Sequence, residues 1–115
     1  MTQERKFLHN KLIRDRIPEI IEASGGQYEV GVMEEREFER ELKKKLAEEA
    51  SELLTTPRED LLNEMADVLE LLKSISEFYG IDFRLVEEKQ VTKREERGSF
   101  KKRLFLVWSS QEAGK

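Results

Sequence analysis

The chain has 115 residues, 37% apolar and 40% charged, with 25 acidic against 21 basic side chains and a net charge of -4. That length describes one domain spanning 1–115, which buries only about two-thirds of the surface its unfolded chain exposes, so self-association is expected to complete the core. The absence of cysteine excludes disulfides, thiolate metal sites and a cysteine nucleophile, the single histidine, His9, excludes multi-imidazole sites, and the interleaved charges leave no whole-protein field to gather nucleic acid or anionic membrane.

No apolar run approaches the roughly 20 residues that cross a bilayer, and Met1 to Lys6 lacks the apolar centre of a signal peptide, so a cytoplasmic address is expected. Residues 7 to 24 begin with Lys11, Arg14 and Arg16 around Asp15 and run into a short helix, with Pro18 in its first turn, where a missing N–H costs nothing. Ser24-Gly25-Gly26 ends that helix, and Tyr28 to Met33 reads as an extended crossover. From Glu34 to about Leu54, Phe38, Leu42, Leu46, Ala50 and Leu53 recur at helical spacing, with acids first and lysines later.

Thr56-Pro57-Arg58-Glu59 has the pattern of a capping box with proline at the first helical position, so a second helix follows after a short turn and forms an antiparallel hairpin with the first. This second helix, with Leu61, Leu62, Met65, Val68, Leu69, Leu71, Leu72, Ile75 and Phe78, is apolar on more than one side and closes at Gly80, which suits a central or dimer-interface position. Asp82 caps a further helix through Phe83, Val86 and Val91 that stops at Gly98. Phe100 to Trp108 reads as a short C-terminal strand, with a helix as the alternative, and residues 109–115 as a frayed tail. Phe105 and Trp108 are assigned to closing the core or an interface, with stacking on a base as the lesser alternative. The fold class is mainly α, a helical-bundle subunit around the hairpin.

The two hairpin helices carry carboxylates on their apolar sides. With Glu49 at zero on a wheel of about 100° per residue, Leu42 falls near 20°, Phe38 near -20° and Leu53 near 40°, while Glu52 flanks the stripe near -60° and Glu48 lies near -100°. With Glu64 at zero, Val68 falls near 40°, Leu71 near -20°, Ile75 near 20° and Phe78 near -40°, with Asp67 near -60° and Asp60 near -40°. A buried carboxylate must be compensated by a cation, an arginine or a proton. Converging acids without histidine point to a hard cation, and Mg2+, with Mn2+ as a substitute, fits oxygen ligands and brings phosphate substrates with it. The alternative is that Glu49 and Glu64 lie at helix edges and pair with lysines or arginines.

Glu48-Glu49-x-x-Glu52 followed by Glu64-x-x-Asp67 resembles the signature of the MazG-like all-α NTP pyrophosphatases. The stretch Lys11-Leu12-Ile13-Arg14-Asp15-Arg16-Ile17-Pro18-Glu19-Ile20-Ile21 is similar to their small stand-alone phosphoribosyl-ATP pyrophosphohydrolase-like branch, whose Lys/Arg-rich segment ending Gly-Gly-Phe reads here Arg97-Gly98-Ser99-Phe100. The resemblance covers residues 8 to 107. It implies Mg-dependent cleavage between the α and β phosphates of an NTP or dNTP, to NMP and pyrophosphate, in nucleotide-pool house-cleaning. It further implies Glu49, Glu52, Glu64 and Asp67 as metal ligands, Glu48 as a water-orienting residue, and a homodimer or homotetramer.

In such a reaction Glu48 or Glu49 takes the proton of the attacking water. Lys11, Arg14, Arg16, Lys89, Lys93, Arg94 and Arg97 are candidates to hold phosphates, with Arg14, Lys93 and Arg97 preferred. The alternative for the late residues is a solvated face paired with Glu95 or Glu96, and for Arg14 a structural pair with Asp15. Hydrolysis of phosphoribosyl-ATP in histidine biosynthesis is the alternative activity. A non-catalytic helical interaction or regulatory module is the alternative of another class.

Overall fold

The computed structural model describes residues 6–112. The start of the chain up to residue 5, part of the stretch read for a signal peptide, and the last three residues of the tail lie outside the described residues. The described chain is mainly helical: α1 (Ile17–Ala23), α2 (Glu35–Glu52), a 3-10 turn (Arg58–Asp60), α3 (Leu61–Phe78) and α4 (Phe83–Arg97). No helix among the described residues is long and apolar enough to cross a membrane. By internal contact the chain divides into two compact units, one ending at Ile81 and the other beginning at Asp82.

In the first unit, Pro18 lies in the first turn of α1. Gly25 closes α1 with φ +81°, its N–H donating to the Glu22 carbonyl while that of Gly26 donates to Ile21, both at 2.9 Å. That pair of bonds satisfies carbonyls the helix end would leave bare. Residues 27–34 run without regular structure to α2, whose first turn places Glu35 and Glu37 at the positive end of the helix dipole.

The two long helices pack end against end. Phe38 at the start of α2 meets Phe78 at the end of α3 edge to face, ring centroids 5.7 Å apart. Beside them the Tyr79 hydroxyl donates to Glu39 Oε1 at 2.9 Å, and Lys43 lies over the Tyr79 ring at 5.1 Å. Between the ends lies a small core in which Leu42 is 3% and Leu71 8% exposed. Ser76, 5% exposed, donates to the Ile81 carbonyl at 2.6 Å as α3 closes at Gly80, φ +67°. The outer face of α3, with Leu62, Met65, Leu69 and Leu72, is exposed.

The junction corrects the capping-box reading. Thr56 Oγ1 donates backwards to the Glu52 carbonyl at 2.6 Å, and the chain passes through the 3-10 turn before α3 begins at Leu61 with no side-chain cap. A capping threonine accepts an N–H at its side-chain oxygen, and here that hydroxyl turns instead to the Glu52 carbonyl, which also takes the Thr55 N–H.

In the second unit Asp82 caps α4, accepting from the Arg84 N–H at 3.0 Å, and Gly98 ends the helix with φ +83°. The short C-terminal strand expected over Phe100 to Trp108 does not form, nor does its helical alternative: the segment is turn and irregular chain. A strand exists through its ladder to a neighbour, and no described segment pairs with this one. Phe105 and Trp108, assigned to closing the core or an interface, are both exposed in the single chain and close no core there.

Candidate metal centre

The site is built where the last turns of α2 meet the first turns of α3. Glu49 projects from the stripe that carries Leu42, and Glu64 and Asp67 project from the side of α3 that carries Leu71, so packing the apolar stripes together carries the acids with them. One carboxylate oxygen from each of Glu49, Glu64 and Asp67 lies within 4.8 Å of the others. Glu64 Oε2 is buried and has no hydrogen-bond partner.

Loss of solvent raises the Glu64 carboxyl above its ordinary value, and contact with Glu49 and the charges of Glu49, Glu52 and Asp67 push it the same way. Glu52, exposed in the last turn of α2, thus acts on the cluster through its charge and stands outside the close trio. The positive group that reaches the cluster is Arg14, whose Nη2 donates to Asp67 Oδ1 at 2.7 Å. The Arg14–Asp15 pairing considered as an alternative gives way to this longer-range contact, and Arg16 pairs with Glu19 at 3.2 Å.

Each of the other candidates is placed within its own unit. Glu48 lines a recess beside His9, Lys11, Lys44 and Lys45. Lys93 and Arg97 stand exposed on α4 in the second unit, with no ion pair to a described residue. Asp60 is exposed at the start of α3. Sequence reasoning missed the grouping of Lys44 and Lys45 with Glu41 and Glu48, although 41, 44, 45 and 48 carry the spacing of one helix face.

The residues present suit a hard divalent cation. The donors are all carboxylate oxygens, they come from two helices, and Glu64 Oε2 is a buried acceptor that a cation would satisfy. Arg14 already neutralises one of the three. Comparison with known proteins adds nothing to this geometry: no family model, curated protein or solved structure matches the chain.

Proposed function

We propose that the protein is a Mg-dependent nucleotide pyrophosphohydrolase of MazG-like all-α type, built on an antiparallel helix hairpin and cleaving the α-β phosphoanhydride of an NTP or dNTP. The observation that carries this reading is the trio Glu49, Glu64 and Asp67 with the orphaned Glu64 Oε2. The resemblance of Glu48-Glu49-x-x-Glu52 and Glu64-x-x-Asp67 to the family signature supports it from the sequence side.

In this reading Glu49, Glu52, Glu64 and Asp67 hold the metal, Mg2+ or Mn2+. A cation bound there neutralises phosphate charge and makes a bound water more acidic. Glu49 accepts the proton of the attacking water, a role that suits it better than Glu48, which lines the recess beside His9. Arg14 exchanges its bond to Asp67 for a substrate phosphate or stays as a brace on that ligand. No side-chain nucleophile is required.

The test is incubation with magnesium and a panel of canonical, deoxy and oxidised NTPs plus phosphoribosyl-ATP, alongside Glu49→Gln and Glu64→Gln. Monophosphate and pyrophosphate from the wild type, with at least about a hundredfold loss in both variants, is the expected outcome. Equal turnover by wild type and variants, or none by either, overturns the four-carboxylate mechanism.

The Arg14–Asp67 ion pair favours a second reading, a non-catalytic helical interaction module in which the acids are structural. Calorimetric titration with Mg2+ separates the two, since the module binds none.

A further inference from the structure

Away from the acidic trio, the segment around His9 and Lys11 lies along α2 and encloses a recess of about 270 Å³. Its charged lining is Lys11, Lys44, Lys45, Glu41 and Glu48, so ammonium groups outnumber carboxylates, and His9 adds a ring with a further N–H donor. Glu41 and Lys45, and Lys44 and Glu48, have the i,i+4 spacing of helix ion pairs. Neither pair closes, and none of the three lysines is in an ion pair with a described carboxylate. Glu41 instead leans towards Arg40, Oε1 to Nε 3.9 Å.

Lys45 is half-buried, and no carboxylate of a described residue closes on its ammonium. Ammonium groups with no carboxylate closed on them are left to take up an anion. We propose that this recess is a binding site for phosphate-class anions. Lysines recognise phosphate as mobile point charges, and ammoniums offered from two segments suit a group with oxygens on several sides. The volume exceeds the roughly 30 Å³ share of a single water several-fold, which leaves room for linked phosphates.

The recess and the candidate metal centre draw their residues from the same two stretches of chain. Lys11 lines it and Arg14, three residues on, holds Asp67; Glu48 lines it and Glu49, the next residue, belongs to the trio. Three residues of chain span at most about 11 Å, within reach of one oligophosphate. This continuity rests on the reading of the trio as a metal centre; the anion site itself does not.

The experiment is calorimetric titration of inorganic pyrophosphate, in EDTA, into the wild type, Lys44→Gln/Lys45→Gln, Lys11→Gln, Glu64→Gln and an equal-charge control, Lys101→Gln/Lys102→Gln, all checked for helicity by circular dichroism. Binding by the wild type, weakened about tenfold or more in both recess variants and kept in Glu64→Gln and the control, is expected. No binding by the wild type, or equal weakening in the control, overturns the proposal. A magnesium titration of the same proteins reads the metal centre separately, because there Glu64→Gln fails and the recess variants do not. Repeating the assay with a non-hydrolysable triphosphate analogue and Mg2+ distinguishes a nucleotide tail, weakened in the recess variants, from free pyrophosphate.

Discussion

Glu64 occupies a position where helix packing removes water from a carboxylate and neighbouring acids repel its charge. A neutral amide of the same shape escapes both penalties. Glu64→Gln is therefore expected to raise the thermal midpoint of the metal-free protein while abolishing the stabilisation that magnesium confers, which for the wild type at a hundred times Kd amounts to about 2.7 kcal/mol. Differential scanning fluorimetry in EDTA and in magnesium checks both signs, and a lower metal-free midpoint would count against the geometry. Leu42 is the opposite case, a side chain whose value lies in being enclosed. Leu42→Ala is expected to cost about 2–5 kcal/mol in urea unfolding, a large share of the stability of so small a core. Both residues were legible on the helical wheel, because the wheel depends on backbone period alone. The bond from Arg14 to Asp67 was not, since it joins positions far apart in the chain and only packing sets their distance.

Among the elements, the helix ends read more clearly than the turn between α2 and α3. Gly80 adopts φ +67°, and a Cβ there would meet nothing within 4 Å, so Gly80→Ala carries the conformational cost alone. That cost is about 1 kcal/mol, measurable as a lower urea midpoint at unchanged slope. Asp82 was rightly read as the cap of α4. Its hydrogen bonds to Arg84 hold the carboxyl below its ordinary value of 3.8. A lowered carboxylate contributes stability that is fully present above the unfolded value and is lost as pH falls through the folded one. The helical circular dichroism of the wild type should thus decline below about pH 3.8 more steeply than that of Asp82→Asn. Thr56 misled because its hydroxyl can accept an N–H of the following helix or donate to a carbonyl of the preceding one, and the local pattern does not say which end it turns to.

For the whole molecule, the outer face of α3 is an unanswered demand for burial on a regular helix. Leu62 is 83% and Met65 60% exposed, and Leu69 and Leu72 continue the same face. The intervals along 62, 65, 69 and 72 read the same from either end, so two copies laid antiparallel would pair Leu62 with Leu72 and Met65 with Leu69. Self-association through this face would give the homodimer or homotetramer that the family resemblance implies. Light scattering after gel filtration is expected to give a mass of at least two chains for the wild type and one chain for Leu62→Glu/Met65→Glu; a monomeric wild type would refute it. The sequence by itself determined the helical class, the helix spans, the two apolar stripes and the misplaced carboxylates, because these follow from backbone periodicity and side-chain chemistry within a few turns. Only the tertiary structure decided that Glu49, Glu64 and Asp67 meet while Glu48 turns to a lysine-lined recess, that Arg14 spans to Asp67, and that the apolar run to Trp108 finds no strand among the described residues to pair with. Those outcomes depend on distances between segments remote in the chain, which packing sets and local pattern does not encode.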